Sequence, residues 1–320
     1  MTRPPAEDIG RVAVIGTGTI GAGWAALFLA HGLEVVAWDP APDARARLAA
    51  AIERAWPALE RLGLAPGADA TRWSVAPSLA AAVGSAEFVQ ENGPDREALK
   101  IDLLAEIDAA TGADVVIASS TSVLRISRLQ SRCRHPGRVV LGHPFNPPQL
   151  VPLVEVVGGE ASDAGAVEWA MAFYRRVGRY PVRLAREIDS HIANRLQAAL
   201  WREAIHIVAE GVASVADVDA AVARGPGLRW ALMGPFLTFH LGGGAAGLEG
   251  FLDHFGPGLE REWERLGKPR MTPELRRRIV AGVADEIGGR DIDTLAGKRD
   301  ACLVALLEAL DGRRPGAEKS

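Results

Sequence analysis

Two side chains near the middle of the chain are suited to moving a proton. His143 lies in the stretch HPFNP, directly after the apolar run Val139 to Leu141 and its Gly142. Glu155 interrupts LVEVV, a run that otherwise reads as a buried strand. An ionised carboxylate in such a strand is costly unless it is paired. Histidine is the natural partner in a site that handles protons: the carboxylate fixes the tautomer and steadies the charged ring, while the other ring nitrogen takes a proton from substrate. The bland alternatives are a turn histidine satisfied by backbone and an edge-strand glutamate facing solvent. Ser122 closes the hydroxyl cluster Ser119-Ser120-Thr121-Ser122, and either Ser122 or Ser127 could simply cap a short helix at 126–130. Asn194 falls inside a helical pattern, where an amide is mildly unfavourable, so it is either a surface residue or part of a site.

The second constellation is VAVIGTGTIGAGWAALFLAHGLEVVAWD, residues 12–39. Gly16, Gly18 and Gly21 have GxGxxG spacing after a short apolar run and before an amphipathic helix pattern. Gly16 allows a tight turn, Gly18 lets backbone approach a pyrophosphate, and Gly21 lets helix and strand pack closely. The helix start offers free N–H groups and partial positive charge to phosphates. Gly16, Gly18, Thr19, Ile20 and Gly21 are therefore the expected cofactor contacts of the turn. Asp39 ends the next apolar run, 21 residues after Gly18. A carboxylate there accepts the ribose hydroxyls of an adenosine and repels a 2′-phosphate, which favours NAD over NADP. FAD is the rival cofactor, but nothing beyond this first unit resembles a flavoprotein.

The elements that must position these groups follow from periodicity. A long stretch from Pro42 to Gly63 reads as one helix or a pair interrupted near Pro57. Strands are expected at Trp73–Val75, Ala86–Gln90, Val115–Ala118, Val139–Leu141, Val151–Val157 and Pro181–Leu184, with helices at Asp95–Ala110 (Asp95 as its cap), Ile126–Gln130 and Asp163–Val177. Strands alternating with helices imply a doubly wound, mostly parallel α/β sheet of Rossmann type. Ligands of such sheets bind at the carboxyl ends of the strands. Here those ends are the glycine turn, Asp39, Glu91-Asn92, Ser119–Ser122 and His143, so the polar groups gather on one edge.

Strand signals stop near Arg186. Residues 1–186 are expected to form the nucleotide-binding domain and 187–320 an all-α domain. The latter has a long helix at Ile188–Glu210, then Val215–Ala223, Met233–Leu241, Leu248–His254, Pro273–Ile287 and Ile292–Leu310. Glycine-rich joints at 225–227, 242–244 and 256–258 separate some of these, and the tail GRRPGAEKS is expected to fray.

Composition sets the class. The chain has 320 residues, nearly half of them apolar, and a net charge of −4, which gives no sign of nucleic acid or membrane partners. No apolar run approaches the roughly 18 residues of a membrane span, and the N-terminus lacks the apolar core of a signal peptide. Cys133 and Cys302 have no metal-like spacing, so free thiols in a reducing cytoplasmic compartment, and no metal, are expected.

The order Ser122, His143, Glu155, Asn194, together with GTGTIG, SSTS, HPFNP, LVEVV and IANRL, resembles the 3-hydroxyacyl-CoA dehydrogenase superfamily over nearly the whole chain. The resemblance implies an NAD-binding Rossmann domain, a helical domain that carries a homodimer interface, and a substrate cleft between them. It implies His143 as the base, Glu155 as its partner, and Ser122 and Asn194 as hydrogen bonders to the reacting oxygen. Glu91 and Lys100 fall at family positions near the nicotinamide ribose, and Ser120 is placed on the cofactor side with them. The chain looks most like the branch acting on free 3-hydroxy acids: AHGLEVVAWDPAP, FVQENGPDREALKIDL, ALWREAIHIV and GLRWALMG resemble L-carnitine dehydrogenases, and SSTS, HPFNPP, NRLQ and the MGPFLTFHL segment also resemble the L-gulonate 3-dehydrogenase (lambda-crystallin) group. The sequence departs from the superfamily at Asp189-Ser190-His191, where Pro-Gly-Phe is usual, and at Ser120, where acyl-CoA members usually have Asn.

The expected reaction is NAD-dependent oxidation of a small 3-hydroxy acid to the 3-oxo acid. The alternatives are a 3-hydroxyacyl-CoA dehydrogenase and an NAD-binding structural or redox-sensing protein without turnover. CoA phosphates need a basic landing site. The stretch 42–83 has no lysine and several acids, although Arg54, Arg61 and Arg72 could serve. A quaternary ammonium favours an aromatic cage, for which Trp201, Trp230, Phe236 and Phe239 are available. Their alternative role is helix packing. Arg195, Arg229 or His240 could hold a carboxylate.

Overall fold

The computed structural model describes residues 3–311, and the tail GRRPGAEKS lies outside them. The backbone divides into two compact units, one through Asn194 and one from Arg195.

The first unit alternates strand and helix: β1 (Arg11–Ile15), α1 (Thr19–Ala30), β2 (Glu34–Trp38), α2 (Ala44–Leu62), β3 (Trp73–Val75), α3 (Leu79–Val83), β4 (Phe88–Glu91), α4 (Glu97–Ala110), β5 (Val116–Ser119), α5 (Ile126–Leu129), β6 (Val139–Pro144), β7 (Leu153–Gly158), α6 (Ala164–Arg176) and β8 (Tyr180–Arg183). The strands form one sheet in the order β3-β2-β1-β4-β5-β6-β7-β8. All neighbours pair in parallel except β6 and β7, which are antiparallel. The expected doubly wound, mostly parallel sheet is what the chain forms.

Both faces of the sheet are covered, so its strands read as continuous apolar runs rather than alternating ones. Val12 and Val14 pack on one side with Trp24, Phe28 and Phe173; Ala13 and Ile15 pack on the other with Leu104 and Ile107. Two expectations for this unit need correction or completion. Pro57 does not split its helix, because the buried stripe Leu48, Ile52, Ala55 and Leu59 holds α2 together across it. Asp95 does not cap α4: Arg96 occupies the cap position without a side-chain bond, and Asp95 is engaged elsewhere.

The second unit is all helical: α7 (Ala193–Ala209), α8 (Val215–Arg224), α9 (Pro226–Trp230), α10 (Pro235–Gly242), α11 (Gly247–Arg265), α12 (Pro273–Ile287) and α13 (Ile292–Leu310). α7 begins five residues after the expected Ile188, because the chain first turns through left-handed backbone at Ser190 (φ 63°) and His191 (φ 52°). The glycines at 256–258 are not a joint but lie inside α11, whose apolar positions Leu252, Phe255, Leu259 and Trp263 continue along one face. The helix expected from Met233 starts at Pro235, a residue whose fixed φ suits the first helical position.

Candidate active site and cofactor site

Register brings the chemistry together. Ile15 pairs with both Trp38 and Glu91, and Glu91 pairs with Ser119, so β1, β2, β4 and β5 end level with one another. The turns that follow carry Gly16–Gly21, Asp39, Asn92 to Asp95 and Ser120 to Ser122. β7 runs against β6, and His143 stands directly opposite Glu155. Residues facing each other in an antiparallel pair project to the same side.

His143 Nδ1 is 2.9 Å from Glu155 Oε2, and both side chains are buried. A carboxylate only accepts, so Nδ1 carries the proton and Nε2 is left as the basic nitrogen. The other oxygen, Oε1, accepts the N–H groups of Ile192 (2.8 Å) and Ala193 (3.0 Å) at the start of α7. Burial pushes the Glu155 carboxyl up. The hydrogen bond from His143 and the two N–H groups outweigh it and hold the group below the usual carboxylate range. Glu155 is therefore an anion with both oxygens engaged, and neither a solvent-facing glutamate nor a turn histidine satisfied by backbone describes the pair.

Ser122 Oγ donates to Asp95 Oδ2 at 2.6 Å, and Ser122 N donates to the same oxygen at 2.9 Å. Asn194 Nδ2 donates to the Ser122 carbonyl at 3.0 Å. Asn194 thus lies in the first turn of α7 beside Ser122, not in mid-helix. Neither serine caps α5: Ser127 donates to Glu187 and accepts Glu160 N at 2.8 Å. Asp95 is the residue that sequence reasoning misplaced. Burial raises its carboxyl, but the Ser122 bonds, with help from Thr121 and Lys100, bring it below the ordinary value.

The glycine turn has the form a dinucleotide requires. Gly16 has φ 85°, and a methyl group on Gly21 would lie 1.8 Å from the Gly16 carbonyl oxygen. A methyl group at Gly18 would meet nothing within 4 Å, so that face of the turn is open. Gly18 is also the N-cap of α1, and no side chain caps it, so the N–H groups at Thr19 and Ile20 are offered outward. Asp39 Oδ2 accepts Thr17 N at 2.7 Å, and Oδ1 accepts Ala41 N at 3.0 Å. The carboxylate is thereby fixed at the edge of the same opening. The residues present fit NAD.

Three expected cofactor residues sit behind this edge. Lys100 Nζ lies 2.9 Å from each oxygen of Glu91, and both side chains are fully buried. Ser119 Oγ adds a 2.5 Å bond to Glu91 Oε2. Ser120 Oγ donates to Asn92 Oδ1 (2.7 Å) and accepts from Gln90 Nε2 (2.8 Å) and Trp24 Nε1 (3.3 Å). Gln90 Oε1 in turn accepts the Tyr174 hydroxyl at 2.7 Å. These side chains are occupied with one another, and they fix the strand ends from below. Gln90, Asn92 and Tyr174 were not singled out from the sequence. A glutamine at the end of a buried strand was the available signal.

Arg195, Trp201, Arg229, Trp230, Phe236, Phe239 and His240 all belong to the second unit and all are exposed. Among the described residues, no two of the four aromatic rings are in ring contact. Phe239 packs instead against Phe251 at a 33° tilt, with centroids 4.8 Å apart, and His240 Nδ1 accepts Leu248 N at 3.1 Å. Trp201 lines an open groove of about 910 Å³ with Leu200, Val218, Asp219 and Glu286.

Residues 11–188 match the family "3-hydroxyacyl-CoA dehydrogenase, NAD binding domain", and residues 191–285 match "3-hydroxyacyl-CoA dehydrogenase, C-terminal domain". The chain belongs to the 3-hydroxyacyl-CoA dehydrogenase family and carries its NAD-binding domain. Among its relatives, the L-carnitine dehydrogenase of Nocardiopsis dassonvillei is 54% identical over 309 residues, covering 97% of this chain and 94% of that protein. The L-carnitine dehydrogenase of Streptomyces griseus is 53% identical, covering 97% and 92%. Among solved structures, a 5-formyl-3-hydroxy-2-methylpyridine 4-carboxylic acid 5-dehydrogenase, described as an NAD+-dependent dismutase, superposes with a TM-score of 0.82 at 29% identity, covering 98% of this chain and all of that one.

Proposed function

We propose that the protein is an NAD-dependent dehydrogenase of small 3-hydroxy acids, with L-carnitine as its substrate and the 3-oxo acid as its product. The observation that carries this is the buried His143–Glu155 couple beside Ser122 and Asn194, in a chain about half identical to L-carnitine dehydrogenases. Bound NAD supplies the hydride acceptor. His143 Nε2 takes the hydroxyl proton, and Nδ1–H stays on Glu155, which steadies the ring as it becomes positive. Ser122 Oγ gives its proton to Asp95 in the free site and turns that proton to the substrate oxygen as charge develops there. Asn194 Nδ2 has a second hydrogen to give the oxygen as charge develops on it. Asp39 meets the adenosine ribose. Glu91, Lys100 and Ser120 keep the strand ends in place beneath the cofactor.

The trimethylammonium group suits aromatic faces, which Trp201, Trp230, Phe236 and Phe239 supply. The carboxylates of Asp219 and Glu286 in the Trp201 groove add charge of the right sign. Arg195, Arg229 or His240 pairs with the substrate carboxylate. The protein works as a homodimer through its helical unit, whose exposed α11 stripe supports a self-association surface. It works in the cytoplasm; its two cysteines are free, and among the described residues no helix is long and apolar enough to cross a membrane.

The test is NADH formation at alkaline pH with L-carnitine, L-gulonate and 3-hydroxybutyryl-CoA side by side. Turnover with L-carnitine alone is expected. Turnover with the thioester alone would move the substrate to the CoA branch, and no turnover with any would favour a non-catalytic NAD binder or a different hydroxy acid. His143→Ala should lose about two to four orders of magnitude in turnover with NAD binding retained; near-normal turnover would overturn the base assignment. Asp39→Ser should narrow the preference for NAD over NADP about tenfold or more, read from the ratio of kcat/KM values.

A further inference from the structure

We propose that His191 is a positioning residue for the proton-transfer couple, locking the His143 ring from one side and aiming the backbone that holds Glu155 from the other. This rests on His143 being the base. His191 is 2% exposed, and its ring centroid is 5.1 Å from that of His143 at an angle of 48°. Its Nε2 lies 3.2 Å from the Thr121 carbonyl oxygen. A carbonyl only accepts, so Nε2 carries the proton and Nδ1 is the bare nitrogen. Nδ1 is buried and has no partner.

The ring is consequently kept neutral. The groups facing it are His143 from β6, Glu155 from β7, Asp95 from the turn after β4 and the Thr121 carbonyl after β5. Burial lowers its proton affinity, a proton on the neighbouring His143 would lower it further, and the Thr121 bond and the two carboxylates only partly offset this. A proton on Nδ1 would place a cation against the ring that is to become positive, with no acceptor for the new N–H.

The backbone completes the device. Ser190 and His191 both adopt left-handed φ, which side chains disfavour. The turn is held by His191 N on the Ile188 carbonyl (3.2 Å), by the Arg125–Asp189 ion pair (2.7 Å) and by the His191 ring on Thr121. The next two N–H groups are the ones that land on Glu155 Oε1. Removing the Nε2–H anchor should loosen the turn, then Glu155, then the His143 ring.

The experiment compares wild type, His191→Phe and His191→Gln in the full chain, using whichever of the three substrates turns over. His191→Phe keeps a ring but loses the anchor. Its kcat should fall about tenfold with KM for NAD unchanged. The acid-side fall in kcat/KM should move to lower pH, because a loosened Glu155 favours the charged His143 ring less. His191→Gln, whose amide N–H reaches the Thr121 carbonyl, should recover most of the loss. The His143 ring titration, followed by NMR without substrate, should move the same way in His191→Phe. Unchanged kcat and titration would overturn the proposal. So would a loss of activity that tracks a lower Tm while the pH profile and the titration stay put. Retained turnover in His143→Ala would instead remove the reading beneath it, and that variant leaves His191 untouched.

Discussion

The two units spend their apolar side chains in opposite ways. Among the described residues through Asn194, the large hydrophobics are almost all inside, and only Leu64, Val123, Tyr180 and Ile192 are exposed. Among the described residues from Arg195 on, the buried hydrophobics are Val208, Val218, Leu275, Val304 and Leu310, while Trp201, Val212, Phe236, Phe255, Trp263 and many others face outward. A sheet covered on both faces makes a complete core from one chain. A set of amphipathic helices with one face uncovered does not, and such an area marks an interaction surface. The contrast teaches that the first unit closes its own core, while the second leaves large apolar side chains open among its described residues.

The sharpest way to break this comparison is at the glycine turn. Gly21→Ala drives a methyl group into the Gly16 carbonyl. It should cost the first unit about 3 kcal/mol or more and abolish NAD binding, seen as a lowered Tm and a lost calorimetric signal. A variant with normal NAD affinity would mean the turn is looser than its geometry. The second unit is tested by Phe255→Glu with Trp263→Glu on the α11 stripe. Association should weaken by about 10-fold or more in sedimentation equilibrium, while NAD binding by the first unit survives. Unchanged association would mean the stripe is not the self-association surface.

The smallest effect is in pH. Burial, partly offset by the Leu27 carbonyl, lowers the proton affinity of His31, and burial likewise lowers that of His191. The unfolded chain therefore binds more protons below 6.5, the ordinary histidine value, and stability should fall as pH drops from there. Glu155, Asp95 and Asp108, all held below the carboxylate range, add a second decline as pH falls through that range toward their lowered values. All five lie in the first unit; the carboxyls held low in the helical unit, Asp217, Glu274 and Asp291, are exposed, where solvent screens their contribution. Melting of the first unit should be the more acid-sensitive, and equal sensitivity in the helical unit would contradict the assignment.

What could be read from the sequence had local signatures. GxGxxG with Asp39 marked a tight strand–helix turn whose geometry suits a dinucleotide. The helices Pro273–Ile287 and Ile292–Leu310 kept their expected bounds because Thr272 and Asp291 cap them with their own side chains. The isolated charge in LVEVV pointed to a pairing, and the antiparallel register supplies it. What could not be read was contact between turns far apart in the chain. Asp95 looked like a cap for its own helix, yet it serves Ser122, 27 residues on. Ser120 looked like one hydroxyl in a run, yet it joins Trp24, Gln90 and Asn92. His191 fell within the helix expected from Ile188, and only the folded sheet edge puts it beside His143.

The one antiparallel pairing in the sheet also sets what sequence drift the chain can absorb. Side chains alternate along a strand, so inserting or deleting one residue within 140–144 or 154–158 would turn either His143 or Glu155 to the opposite face and part the couple. The connection between the strands, residues 145–152, carries no such parity. It is held by packing instead: Pro147, Pro148 and Leu150 are buried, the Phe145 ring lies 4.7 Å from that of His143, and the Pro148 and Val151 carbonyls accept from Arg179, so a change of length there would disturb the couple through its surroundings rather than through its register.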